Sequence, residues 1–254
     1  MNSYIAFLRK EFCEVSRTYK LLIMGAVFLL FGLMSPIFAK LTPQILENFM
    51  PKGIHIEIAE PTAIDSWAQF FKNISQMGLI VLVVVFSGSM ANELSRGTLI
   101  NVLTKGLPRR TVILSKYTMM SIIWTLCYFG AFLVSYGYTV YFWNNEGVRN
   151  LLFSVLMLWI FGLLLLAVSL LGGVLFRNIY GSLLFTGSFV MLEFVTDIIP
   201  KWKEINPIRL TTDNMTLLTK AMSINDFVVP IILAVILIVA SMIASILVFN
   251  RKQV

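Results

Sequence analysis

The 254-residue chain reads as an all-α integral membrane protein with six transmembrane helices. Three observations carry that reading: six apolar stretches long enough to cross a bilayer, no period-two alternation within them, and 58% hydrophobic against 13% charged residues. A hydrocarbon core about 30 Å thick needs about 20 helical residues to cross it. Lipid offers no hydrogen bonds, so a crossing segment must satisfy its backbone internally, and continuously apolar segments leave only helices. The expected spans are about 21–39, 74–91, 117–143, 151–176, 179–199 and 228–249. No hydrophilic block among them is long enough for a second domain, so residues 1–254 form one transmembrane domain.

Residues 1–20 come first. Ile5, Leu8, Phe12, Val15 and Tyr19 recur at spacings of three and four, with Arg9, Lys10, Glu14 and Arg17 elsewhere around the wheel. This predicts an amphipathic helix lying in the membrane interface, its apolar stripe in the acyl boundary. Span one is longer than the apolar core of a signal peptide and is expected to be retained. The 40–73 stretch holds Pro43, Pro51, Pro61 and the only histidine, His55. Scattered Glu47, Glu57 and Glu60 around one histidine do not make a metal site, so no metal is expected. Thr62 and Asp65 have capping-box spacing, which starts the span-two helix near Ala63.

Between spans two and three, Leu99, Ile100, Val102 and Leu103 predict a short half-apolar helix over about 94–108. Gly106 suits its C-terminal cap, and Pro108 forbids its continuation. Spans four and five are separated only by Arg177 and Asn178, which predicts an antiparallel hairpin. Ser169, Gly172, Gly173, Gly181, Ser182 and Gly187 are small enough to let those helices approach closely, by default within one protomer. Glu193 and Asp197, four apart near the end of span five, are the acidic residues within a span. They read either as a relay or substrate-path pair or as groups already in the headgroups and a wet vestibule. The 200–227 stretch alternates apolar and polar residues after Pro200 and Pro207, predicting short half-buried helices. Ser223 and Asp226 give a capping box that opens span six.

Sorting the flanks gives one side Arg9, Lys10, Arg17, Lys20, Arg96, Lys105, Arg109, Arg110, Lys116, Arg177, Arg251 and Lys252 against Glu11, Glu14 and Glu93. Lys and Arg concentrate on the cytoplasmic side, so the chain is expected to be a multi-pass protein of a bacterial cell membrane with both termini in the cytoplasm. The net charge of +7 is therefore orientation information, and no nucleic-acid partner is expected. Cys13 and Cys127 form neither a disulfide framework nor a metal pair. No phosphate-cradling Gly-x-x-x-x-Gly-Lys-Ser/Thr, Gly-x-Ser-x-Gly or His-Glu-x-x-His occurs. The chain is not expected to be an enzyme, and no catalytic residues are assigned.

Glu93, then Gly97-Thr98, Leu103, Lys105-Gly106, Pro108-Arg109-Arg110 and Lys116, resembles the permease (transmembrane) subunit of type-2 ABC exporters. The six-span pattern, the amphipathic N-terminal helix and the half-buried stretch before span six fit the same family. The Pro-Arg-Arg is tighter than in many members, which leaves open which arginine has the family role. The resemblance implies a homodimer of permeases bound to two copies of a separate cytoplasmic ABC ATPase. ATP and Mg would reside on that partner, with no cofactor held by this chain. The 94–108 segment would be the coupling helix, with Leu99 and Leu103 as packing anchors and Arg96, Lys105, Arg109 and Arg110 meeting acidic rim residues. Glu93, Gly97, Thr98, Pro108 and Lys116 complete the ATPase-coupling set, Glu93 pairing with a neighbouring basic side chain. Cargo would travel along the dimer interface, lined by spans two and five, and leave past the 200–227 stretch. Thirteen Met, twenty Phe and few intramembrane charges point to an apolar or amphipathic cargo, a peptide, drug or lipid-like molecule. The alternatives are an ion-coupled carrier using Glu193 and Asp197, or a membrane assembly or sensor protein without transport.

Overall fold

The computed structural model describes residues 3–49, 60–99, 103–104, 106–144, 146–219 and 222–252. It is all-helical, with no strand among those residues, and six of its helices are long and apolar enough to cross a membrane. His55, Glu57, Ile100, Val102 and Lys105, and with them the middle of the expected coupling helix, lie outside the described residues.

The N-terminal helix α1 (Ser3–Arg17) ends at Tyr19, whose positive φ of 58° turns the chain into α2 (Lys20–Phe49). α2 continues through Pro36 and Pro43, past the expected end at residue 39. Each proline removes one backbone donor, a loss that a helix packed against neighbours tolerates. The second crossing helix, α3 (Ala63–Ser95), starts on the expected capping box: the Thr62 N–H donates to Asp65 Oδ2 at 2.8 Å. A π-helical segment, Ile74–Gly78, interrupts it.

α4 (Arg109–Trp143) begins eight residues before the expected span, because Pro108 pre-sets the entry and Arg109 to Lys116 already belong to the helix. α5 (Leu151–Phe176) has the expected boundaries. α6 (Ile179–Asp197) follows a turn in which Arg177 takes a positive φ of 55° and the Asn178 side chain accepts from the Gly181 N–H. Three short helices, α7 (Pro200–Lys203), α8 (Arg209–Thr212) and α9 (Asn214–Leu218), precede α10 (Val228–Arg251). The Ser223–Asp226 capping box opens a single 3-10 turn that runs into α10.

α5 is the central post, packed against α3, α4, α6 and α10, with α8 and α9 over one end. α2 lies against α4 so closely that a Cβ at Gly32 would come within 2.6 Å of the Ala131 carbonyl oxygen. The perimeter carries Leu30, Ile80, Leu126, Leu184, Leu192, Ile236 and Leu247 exposed. Apolar residues so placed around a six-helix bundle are the surface that lipid covers. α1, the described residues of 96–108, Arg177 and Lys252 gather at one end of the bundle, here the terminal end. The described residues of 60–62, 144–150 and 198–227 lie at the far end.

Candidate functional site

Two features stand out: a buried ionic cluster at the terminal end and a cavity in the far half. The cluster begins in α1. The helix packs on α4 through Phe7, Glu11 and Val15, whereas Ile5, Phe12 and Tyr19 of the expected stripe are exposed. The lipid stripe and the protein-facing stripe are therefore neighbouring faces, and the second has a carboxylate at its centre. Glu11 is 2% exposed and accepts from Lys116 Nζ at 2.9 and 3.0 Å. Lys116, on the first turns of α4, is fully buried, and its Nζ also lies 2.8 Å from Glu93 Oε2 near the end of α3. Lys10 caps the group, bonded to Glu93 and to Glu14, the latter at 2.6 Å. Burial opposes charge on Lys10, but the Glu11 charge and the bonds to Glu14 and Glu93 outweigh it and hold the ammonium above its ordinary range. Burial likewise opposes charge on Glu14, but the Lys10 bond and the Lys116 charge hold its carboxyl below the usual value. Three carboxylates converge here, yet two ammonium groups already occupy their oxygens, so the cluster is an ion-pair network.

The residues after Glu93 follow from how α3 stops. The Thr98 N–H reaches the Glu93 carbonyl at 3.2 Å and the Gly97 N–H reaches that of Leu94 at 3.4 Å. With Gly97 at φ 66°, this is a Schellman cap, which needs glycine at its left-handed position. The Gly97-Thr98 pair thus places Glu93 at the helix end, beside Lys116. The Leu103 N–H bonds to the Leu99 carbonyl at 3.0 Å, and the N–H of Gly106, at φ 85°, bonds to the Leu103 carbonyl at 2.9 Å.

The expected partner-facing set divides. Arg96, Thr98, Pro108 and Arg110 are exposed, and Gly97 and Leu103 are half-buried. Leu99 is 1% exposed and belongs to the bundle core, so it is not available as an anchor for a partner in this conformation. Lys116 is likewise consumed internally. Arg109 bonds to the carbonyls of Phe249 and Lys252 and lies over the Phe249 ring, capping the end of α10. Lys252 in turn reaches the Val174 and Leu175 carbonyls at 2.7 and 2.6 Å, where burial and the Arg177 charge lower its pKa.

In the far half, α3, α5, α6 and the α8–α9 stretch enclose a cavity of about 780 Å³. Its walls are mostly apolar: Leu79, Val83, Phe161, Leu165, Val190 and Met191 among others. The π segment contributes Ser75 and Gln76, and Ser75 Oγ reaches the Thr211 carbonyl at 3.4 Å. Gly187 borders the space with nothing within 4 Å of its Cβ position. Glu193 and Asp197 are not on the lining. Glu193 is buried under the 200–214 stretch, where Asn206 donates to its carbonyl at 2.7 Å, rather than facing an open vestibule. Its Oε2 and Asp197 Oδ1 are buried without hydrogen-bond partners. The small residues act within the protomer: Ser182 donates to the Ser169 carbonyl at 2.8 Å, and Gly173 lies against Ala91 and Met90 of α3.

No family model matches the chain. It is similar to the uncharacterized transmembrane protein YxlG of Bacillus subtilis (strain 168), at 20% identity over 181 residues, 70% of each chain. With six apolar crossing helices, the coarse assignment is direct. The chain is a multi-pass membrane protein.

Proposed function

We propose that the chain is the transmembrane subunit of an ATP-driven exporter, moving an apolar or amphipathic cargo and powered by a separate ATPase. The observation that carries this reading is the joining of α1, the end of α3 and the start of α4 by the Glu11–Lys116–Glu93 cluster. A push on the 96–108 turn is then delivered to three helices together, and α3 forms one wall of the cavity. Buried ion pairs fix geometry well because any displacement leaves a charge unpaired. Shifting the bundle between two arrangements by such a push is a rigid-body transition. The cavity lies between α3 and α6, the two spans expected along the cargo path, and its apolar walls suit such a cargo.

In this reading the terminal end faces the cytoplasm. The ATPase meets the exposed Arg96 and Arg110, with Leu103 at the edge, and a second permease completes the assembly. The test is whether a neighbouring reading frame encodes an ABC ATPase that co-purifies with this chain and whose ATP hydrolysis the chain stimulates. Arg96→Glu with Arg110→Glu is expected to abolish both while leaving the protein in the membrane. Unchanged binding in that variant counts against the proposal.

An ion-coupled carrier is the second reading, favoured by the unpartnered oxygens of Glu193 and Asp197. Cargo movement driven by a proton gradient alone, with no ATPase present, would establish it instead.

A further inference from the structure

The cavity has a polarity gradient along α3. Lys72 is at the far rim, Ser75 and Gln76 follow, and Leu79, Ile80, Val83 and Val84 continue toward the terminal end. Among the described residues on the lining, Lys72 is the single charged one and no carboxylate joins it. Lys72 also makes no ion pair among the described residues. The acids nearby are engaged elsewhere or turned away. Asp213 accepts from Arg209 Nε at 2.9 Å and from Thr212 Oγ1 at 3.2 Å, and Glu193 and Asp197 lie off the lining.

A second observation concerns Asn214, which is on the lining yet only 1% exposed. Its Nδ2 donates to the Leu210 and Thr211 carbonyls at 3.2 and 3.3 Å, but Oδ1 has no partner. A buried acceptor without a donor costs about 1–3 kcal/mol, a cost that a bound N–H or O–H relieves. Access from the side is open: Ile80, Val84, Met191 and Phe194 line the cavity and are themselves exposed.

We propose that this cavity selects amphiphiles whose head is anionic and carries an N–H or O–H donor, with Lys72 as the specificity-determining residue. The head lies at the far rim between Lys72 and Asn214, and the tail lies along Leu79, Val83, Phe161 and Leu165. The cavity volume of about 780 Å³ is within the roughly 300–1,000 Å³ usual for small-molecule sites. One charge among apolar walls discriminates mainly by sign, since a like charge is repelled where an opposite one is attracted. This inference rests on reading the cavity as a cargo site, but binding itself needs no ATPase.

The experiment uses the full chain in phosphatidylcholine nanodiscs and two photoactivatable probes of equal chain length, an N-acylglycine and an alkyl trimethylammonium. Crosslinking to the peptides that line the cavity is read by mass spectrometry. The N-acylglycine is expected to label them about tenfold more efficiently, a difference of about 1.4 kcal/mol. Lys72→Gln should remove the preference and Lys72→Glu should reverse it, the exposed position making either change tolerable to folding. Gly187→Trp, which fills the cavity, should abolish labelling by both probes. Equal labelling of the wild type by the two probes, or a preference unaltered in Lys72→Glu, overturns the inference. A preserved preference with no ATP-driven movement of either probe in proteoliposomes containing the ATPase supports the selectivity and overturns the transport reading.

Discussion

The terminal and far ends of this bundle handle buried polarity in opposite ways. At the terminal end, Lys10, Glu11, Glu14, Glu93 and Lys116 are packed so that every charge has an opposite neighbour within ion-pair distance. At the far end, Glu193 Oε2 and Asp197 Oδ1 are buried without hydrogen-bond partners off the cavity lining, and Asn214 Oδ1 is buried without one on it. A satisfied network resists displacement, whereas an unsatisfied one is ready to exchange partners. The difference assigns rigidity to the end that would receive force and adaptability to the end that would meet cargo.

The largest expected effect breaks the rigid end. Lys116→Met leaves Glu11 and Glu93 buried without their shared cation, a type of change that costs about 3–5 kcal/mol. Thermal unfolding of the purified protein should show a large fall in midpoint. Adding Glu11→Gln and Glu93→Gln should recover most of it, because the triple variant buries no unpaired charge. A Lys116→Met protein as stable as the wild type would mean the cluster is not closed in the membrane.

Next in size is a matched pair of glycines. Gly173→Leu pushes a side chain into α3, whose Ala91 nitrogen is only 3.3 Å from the Cβ position. Overpacking of that kind costs about 1–3 kcal/mol. Gly187→Leu meets open space, so its stability should stay within about 0.5 kcal/mol. If the chain is the proposed exporter subunit, its transport rate should nevertheless fall steeply, since the new side chain occupies the cavity. Equal destabilisation by the two changes would show that the far half closes up in the membrane.

The same contrast explains what was legible in the sequence. Hydropathy marked all six spans because lipid imposes a length and an apolar composition on each, and α5 has the expected limits. Both capping boxes were legible, since their chemistry is local. The cluster was not. Glu11 looked like a polar position beside an apolar stripe, and only the docking of α1 on α4 brings it to Lys116, 105 residues away. Gly97-Thr98 was visible as a motif, but its physical role, a cap that sets Glu93 in place, needed backbone geometry. Leu99 shows the same limit: an apolar residue in a short loop fits a partner or a core equally well, and in this conformation it is buried in the core. The cavity left no one-dimensional signature, because its walls come from five helices, one of them interrupted by a π segment.

A smaller effect sharpens the far end. Glu193→Gln keeps the shape and the Asn206 contact, which runs to the backbone carbonyl. Stability should change by less than about 1 kcal/mol, and on the proposed export function ATP-driven transport by no more than a few-fold. Complete loss of transport with intact folding would instead place a titrating carboxyl in the cycle.

The smallest effect is in pH. Glu14 is held below the ordinary carboxylate value, so its contribution to docking α1 is fully present above about 4.5 and fades as pH falls through the lowered value. Lys10 is held above the ordinary ammonium value, so its contribution is present below about 10.5 and fades only as pH rises past the raised one. Both act fully between those limits, and α1 should be most firmly seated there. A spin label on the exposed Cys13 would report this directly, with Cys127 buried and out of reach. Its mobility should be flat across neutral pH and increase toward both extremes, sooner in Glu14→Gln at the alkaline end, where Lys10 has lost one of its acceptors. Mobility already high at neutral pH would mean that lipid, not Glu11 and Lys116, holds the helix, and the contrast between the two ends would lose its mechanical meaning.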